Sequence, residues 1–291
     1  MIWLIGSMLL SASLMLLFRW FSLVGIHTQT AILINYLVCI VTGTLLAGKE
    51  HIFRSDLPTQ SWFWPCLGLG VLFIVVFSAM GQSAKLAGSA LTAMASKMGL
   101  LIPVLTAVLF LGESWNWIIL PGLLCTLGAL VLLNPARNKG AEHMDFKALA
   151  LLLLVFFGSG LVDAGVKLVQ HFFLKNSSTD QTITLIFSGA FATGLLQHLL
   201  AKGNAALLPS LRDIGGGVIL GVCNYGSMYT LVNALDKSGL AGAFLFPVNN
   251  LGVVMVTTGA AYLLFRETLS RRQWLGLICA AFAIGLLSIT A

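Results

Sequence analysis

Ten long apolar runs separated by short polar breaks dominate this chain, at roughly 1–18, 29–47, 61–81, 89–111, 115–134, 147–169, 181–201, 213–233, 240–265 and 272–290. About 20 apolar residues carry a helix across the hydrocarbon core of a bilayer. In lipid every backbone polar group must be paired inside the segment, so an apolar run of this length has to be helical. The pattern therefore predicts an all-α polytopic membrane protein with ten transmembrane helices. Composition bears on what else it could be. Of the residues, 58% are hydrophobic and 9% charged, with a mean hydropathy of +0.96. An ordinary soluble domain is about 25% charged. So few charges cannot coat a soluble globule, which excludes a soluble enzyme, a disordered chain and a nucleic-acid binder. The net charge of +6 is no nucleic-acid footprint, because the basic residues stand singly between apolar runs.

The breaks carry the expected punctuation. Gly48-Lys49-Glu50-His51 and Asp56-Leu57-Pro58 separate the second and third runs, and Lys175-Asn176-Ser177-Ser178 separates the sixth and seventh. Asn134-Pro135-Ala136-Arg137-Asn138-Lys139-Gly140 marks the middle of the chain. Met1 opens the first run with no basic stretch before it and no small-residue cleavage site before Arg19, so it reads as a span rather than a leader. The five cysteines all lie inside apolar runs without a CxxC pair and read as small buried residues. Asn176-Ser177-Ser178 matches a glycosylation triplet, a pattern common by chance.

The two halves repeat. Glu113 is followed nine residues later by Gly122-Leu123-Leu124-Cys125, and Glu267 nine residues later by Gly276-Leu277-Ile278-Cys279. Lys97-Met98-Gly99 stands where Asn250-Leu251-Gly252 stands, with one residue of slippage, and Thr42-Gly43 answers Thr193-Gly194. Residues 1–134 and 147–291 thus read as two five-helix repeats joined by 135–146. An odd number of spans per repeat requires the second to be inverted in the membrane, a transporter architecture that places the site at the repeat interface near the midplane. The loops after odd-numbered spans hold ten basic residues and the others four. That count places both termini outside the cytoplasm.

Two stretches carry a family resemblance. One is Ser96-Lys97-Met98-Gly99-Leu100-Leu101-Ile102-Pro103 running to Phe110-Leu111-Gly112-Glu113. The other is Leu264-Phe265-Arg266-Glu267-Thr268-Leu269-Ser270 followed by Gln273-Trp274-Leu275-Gly276. Both resemble the EamA-like half-domain of the drug/metabolite transporter superfamily, and the resemblance covers nearly the whole chain. It implies ten helices in two inverted halves and alternating access around a central cavity. It also implies peripheral fifth and tenth helices, with room for a homodimer through them. The small multidrug-resistance relatives use a buried glutamate in the first helix. Met1 to Phe18 contains no acid, so that mechanism does not carry over.

An ionisable residue inside a span is a functional hypothesis, since insertion costs about 2.5–3.5 kcal/mol for Lys or Asp at a helix centre. Lys97 stands about 12 Å into the fourth span. It reads either as a cation for a substrate carboxylate or phosphate, or as a structural partner of Asp163. Asp163 and Lys167, four residues apart in the sixth span, share a helix face. They read as a local ion pair or as a proton-coupling couple. Asn249 and Asn250 follow Pro247, which frees the Ala243 carbonyl four residues back; Pro103 does the same in the fourth span. Asn250 is the repeat counterpart of Lys97 and reads as a substrate-binding residue. Asn35-Tyr36 and Asn224-Tyr225 offer polar groups beside aromatic rings, suited to an amphipathic ligand, and Gln82 is a weaker candidate. Gly217 and Gly221 form a GxxxG spacing suited to close helix packing. Glu113 and Glu267 read as turn and interface residues.

Catalysis finds little support. Gly158-Ser159-Gly160 hints at a serine-protease motif, but Phe157 breaks it, and no HExxH, Walker motif or paired intramembrane aspartates occur. The expectation is a secondary transporter, exporter or permease, in a bacterial plasma membrane. Its partners are a small organic solute, anionic or zwitterionic such as an amino acid or organic acid, and the bilayer. It needs no cofactor, metal or nucleic acid. The rivals are a lipid or lipid-linked sugar flippase of the same fold and a non-transporting membrane scaffold.

Overall fold

The computed structural model describes residues 1–48, 56–86, 89–113, 117–133, 146–173, 178–202, 209–265 and 270–289. The mid-chain segment Asn134 to Gly140, most of the 135–146 connection, the glycosylation asparagine Asn176 and Glu267 lie outside the described residues. Every long element is an α-helix. They are α1 (Ile2–Val24), α2 (Thr28–Ala47), α3 (Phe63–Leu86), α4 (Ser89–Met98), α5 (Leu101–Phe110), α6 (Ile119–Leu133), α7 (Phe146–Phe173), α8 (Thr179–Lys202), α9 (Leu211–Lys237), α10 (Gly242–Phe265) and α11 (Arg271–Ser288). Seven helical stretches are long and apolar enough to cross a membrane, counting Thr92–Phe110 across α4 and α5 as one; shorter apolar helices occur at Ile2–Phe18 and Ile119–Leu133. The chain is a helical, membrane-embedded protein.

The fourth apolar run is interrupted, and the residues say why. Pro103 has no N–H to give the Gly99 carbonyl, and that carbonyl instead accepts from Ile102 N at 3.0 Å. Gly99 and Leu100 form the turn between α4 and α5. The ninth run behaves differently. Pro247 sits inside α10, which continues without a break from Gly242 to Phe265. The interruption that a proline predicts therefore occurs where a permissive glycine stands four residues ahead of it, and not in α10, where alanine does.

The chain forms two compact units, and the division falls within α3 and α7. The first comprises Met1–Ile74 and Leu168–Asp236. Here glycines let helices touch. A side chain on Gly217 would meet Ile34 at 2.6 Å, and one on Gly221 would meet Val38 at 2.7 Å, so the GxxxG pair seats α9 on α2. Gly43 of α2 faces Thr184 of α8, and Gly194 of α8 faces Leu33 of α2. The C-terminal part of each helix thus lies against the N-terminal part of the other, so α2 and α8 are antiparallel. Phe21, Ile26, Ala31 and Leu220 are buried together at the α1–α2 end of this unit.

The second unit comprises Val75–Lys167 and Lys237–Ala291. Its core joins Leu100, Val104, Leu123, Leu130, Ala243, Leu251 and Ala283, all buried. Gly122, early in α6, faces Leu287, late in α11, while Gly276, early in α11, faces Leu133, late in α6. These two helices are also antiparallel. Midway along the pair, Cys279 Sγ donates to the Cys125 carbonyl at 3.5 Å. A capping box starts α11, with Ser270 accepting from Gln273 N and Gln273 reaching back to Ser270 N.

Candidate functional site

The second unit brings several polar side chains together at one helix crossing. A Cβ on Gly99 would lie 2.6 Å from the Phe156 carbonyl oxygen, and one on Gly160 would lie 2.5 Å from the Gly99 carbonyl oxygen. Only glycines allow this backbone approach of the α4–α5 turn to α7. The contact brings the flanking polar residues together. Ser96 and Ser159 share a hydrogen bond at 2.9 Å between hydroxyls. Lys97, two residues before Gly99, donates from Nζ to Asn250 Oδ1 on α10 at 3.0 Å. Asp163, less than one turn beyond Gly160, lies close enough to Asn250 and Lys97 to interact with both electrically. Lys97 and Asp163 are half-buried and Asn250 is buried.

The result is a cation bonded to one amide, with an anion beside them. Asn249, the next residue back on α10, is 7% exposed, and its Oδ1 has no hydrogen-bond partner. A buried amide oxygen without a donor is costly, so this group is available to a ligand or a water. Of the sequence candidates, Lys97, Asp163 and Asn250 are thus brought into one cluster, with Asn249 beside them.

Lys167 departs from expectation. Its ammonium does not pair with Asp163 on its own helix but with Glu113, Nζ to Oε1 at 3.0 Å, with both side chains largely buried. Glu113 also accepts from Gly242 N at 2.9 Å and Ala243 N at 3.0 Å, capping the first turn of α10. The partner matters because Glu113 supplies a fixed carboxylate where two orphan amides and a helix dipole already favour negative charge. Burial pushes the Glu113 carboxyl up, but the two amides and Lys167 outweigh it and hold it below the ordinary carboxylate range.

Of the remaining candidates, the two Asn-Tyr pairs fall in the first unit and Gln82 in the second. Asn224 of α9 donates from Nδ2 to Asn35 Oδ1 of α2 at 3.1 Å, which joins the two Asn-Tyr pairs across one helix contact. The Tyr225 hydroxyl donates to Asp180 Oδ1 on α8 at 2.5 Å. Its ring stacks on Tyr229 with centroids 6.3 Å apart, and Trp3 packs edge-on against Tyr229 at 5.9 Å. Tyr36 is buried against Phe187 at 5.9 Å, and its hydroxyl lacks a partner. Gln82 is exposed.

Sequence reasoning passed over two acids in this unit. Asp180 opens α8 and reads only as a helix-start acid. Asp213 accepts from His27 N at 2.8 Å and from the Ser210 hydroxyl at 2.7 Å, tying the α1–α2 turn to the start of α9. The Ser210 to Asp213 spacing was the available signal, since an oxygen-bearing side chain three residues ahead of an acid at a helix start is a cap pattern.

No family model matches the chain. It is 26% identical over 263 residues to an uncharacterized protein of Haemophilus influenzae, covering 89% of this chain and 88% of that one. A protein of known crystal structure, 16% identical, superposes with a TM-score of 0.80, covering 100% of this chain and 96% of that one. The chain therefore shares its fold, over its whole length, with a protein solved by crystallography.

Proposed function

We propose that this chain is a multi-pass secondary transporter of the drug/metabolite superfamily, moving a small anionic or zwitterionic organic solute by alternating access. The carrying observation is the Lys97–Asn250–Asp163 cluster. A lysine and an aspartate inside apolar spans are costly to insert, and groups of this kind mark solute and ion pathways. Together they match a solute that bears a carboxylate or phosphate, with or without an ammonium group. The unpartnered Asn249 oxygen adds an acceptor for a solute N–H or O–H. A few convergent polar groups are what fixes and selects a ligand in a small-molecule site.

The inverted ten-span repeat has packing arguments in its favour. Counting α4 and α5 as one interrupted helix, the long helices among the described residues number ten, the number the repeat calls for, and seven of these are long and apolar enough to cross a membrane. Under a two-fold operation, if one residue touches a second, their counterparts touch as well. Gly122 and Leu133 become Gly276 and Leu287 on adding 154, and the contacts Gly122 to Leu287 and Gly276 to Leu133 are reciprocal in this sense. Leu33 and Gly43 become Thr184 and Gly194 on adding 151, with the same reciprocity. Both helix pairs are antiparallel, so the operation runs across the helices, as inversion demands. Lys97 and Asn250 are themselves counterparts in touch, which puts the cluster next to the axis within its unit.

The similarity to a Haemophilus influenzae protein along most of both chains favours a bacterial plasma membrane. The test is a thermal-shift screen of the purified chain against anionic, zwitterionic, cationic and lipid-linked solutes, with Lys97→Met beside it. A bound ligand stabilises by RT ln(1 + [L]/Kd), about 2.7 kcal/mol at a hundredfold excess over Kd. Stabilisation by an anionic or zwitterionic solute that Lys97→Met abolishes supports the reading. Stabilisation by lipid-linked solutes alone would replace it with a flippase.

A further inference from the structure

Glu113 lies outside the Lys97 cluster, in the turn after α5, yet it holds both helices that complete that cluster. Its Oε1 accepts from Gly242 N at 2.9 Å and from Lys167 Nζ at 3.0 Å, and its Oε2 accepts from Ala243 N at 3.0 Å. The side chains of Lys167 and Glu113 are only 7% and 16% exposed, so little water competes for them. The fit is tight. A Cβ on Gly242 would sit 3.0 Å from Lys167 Cε and 3.2 Å from Glu113 Oε1.

Gly242 and Ala243 begin α10, and Asn250 stands about 12 Å further along it. Lys167 stands about 6 Å beyond Asp163 on α7. One carboxylate thus fixes the axial position of the helix that delivers Asn250 and of the helix that delivers Asp163. A packed helix moves along its axis as a body, so a slip at Gly242 reappears at Asn250. The Lys97–Asn250 bond tolerates only a few tenths of an ångström, because N–H···O bonds hold between about 2.7 and 3.2 Å.

We infer that Glu113 is a positioning residue for the Lys97 site, a clamp that sets α10 and α7 in register so that Asn250 and Asp163 both face Lys97. Its standing as part of a transport site rests on the reading above; its effect on register does not. The clamp has two separable parts, an ion pair to Lys167 and a pair of amide bonds to α10. Lys167 acts as half of this clamp and not as a partner of Asp163 in proton transfer.

The test reads register directly. In the full chain with its native cysteines replaced by alanine, Lys97→Cys and Asn250→Cys are cross-linked with a short bis-thiosulfonate reagent. The native Cys125 and Cys279, retained in a parallel chain, serve as a control pair in the same unit. Adding Glu113→Ala should slow cross-linking of the first pair about tenfold, the scale of a lost helix cap, and leave the control unchanged. Glu113→Gln, which keeps one acceptor oxygen and folds more readily, should fall between. The exchange Glu113→Lys with Lys167→Glu should not restore the rate, because it turns a cation toward the start of α10. Unchanged cross-linking, a parallel loss in the control pair, or full rescue by the exchange would each overturn the inference. The reading of the site itself is tested separately by solute stabilisation in Lys97→Met, which leaves Glu113 intact. Loss of register in Glu113→Ala with no solute effect of Lys97→Met would refute the site and leave the clamp.

Discussion

Gly99 and Gly160 meet backbone against backbone, so closely that a methyl group on Gly160 would lie 2.5 Å from the Gly99 carbonyl oxygen and from Ile102 Cδ1. Overpacking of this kind costs about 1–3 kcal/mol. Gly160→Ala should therefore lower the unfolding midpoint in detergent. It should also weaken solute binding, since Lys97 and Asp163 flank the crossing. Gly128→Ala, at a position with open space around it, should leave both unchanged. Equal effects of the two substitutions would remove the crossing from the account.

Lys97 and Asp163 compensate each other around Asn250. Removing one partner leaves a half-buried charge unopposed, while removing both leaves none. Lys97→Met and Asp163→Asn should each destabilise by about 1–3 kcal/mol, below the 3–5 kcal/mol typical of a fully buried pair. The double variant should recover much of the loss. Chemical denaturation of the four proteins measures the coupling. Additive losses would mean that the two charges do not sense each other.

Glu113 and Lys167 should be unequal. Lys167→Met leaves the carboxylate with two backbone amides, whereas Glu113→Ala strands a buried ammonium and two amide donors. Glu113→Ala should therefore be the more destabilising, by about 1–2 kcal/mol, the scale of a lost helix cap. Thermal unfolding of the two variants side by side decides the order.

The same carboxylate gives a pH signature. Its folded value lies below the ordinary 4.5. The folded state thus binds the proton less readily than the unfolded state does, and the unfolded state holds more protons in that window. The stabilisation is complete above the ordinary value and fades as pH falls through the lowered folded value. The difference in midpoint between the native chain and Glu113→Gln should be constant near neutrality and shrink below about pH 4.5. A difference that grows on acidification would contradict the assignment.

In the first unit, Tyr225→Phe removes the hydroxyl that donates to Asp180. A hydrogen bond to a charged group contributes about 1.5–3 kcal/mol. Asp180 is partly exposed, so a loss of about 1 kcal/mol is expected by the same rule. Asp180→Asn in the Tyr225→Phe background should then cost little more. A double variant that loses as much again would show that Asp180 has work beyond Tyr225.

Much of this architecture can be read from residues alone, because lipid leaves the backbone few choices. The apolar runs predict the helices, and the spacing from Glu113 to Gly122 and from Glu267 to Gly276 suggests the repeat proposed above. Lys97 stands out since a charge in an apolar run is costly. What the sequence hides is contact between distant segments. The i to i+4 rule pairs Lys167 with Asp163, being blind to Glu113 on another element. The Gly99–Gly160 approach is lost among thirty glycines, none of which announces its neighbour. Asp180 carries no mark that separates it from an ordinary helix-start acid. Pro103 and Pro247 look alike as residues, yet only the first stands four residues after a glycine.

The most direct test of the transport reading is solute counterflow in proteoliposomes loaded with whichever anionic or zwitterionic metabolite stabilises the chain. Native protein should exchange labelled solute across the bilayer. Lys97→Met should lose nearly all exchange while keeping a cooperative unfolding transition, and Asn250→Ala should lose part of it. Undiminished exchange by Lys97→Met would contradict the claim that the Lys97–Asn250–Asp163 cluster holds the solute.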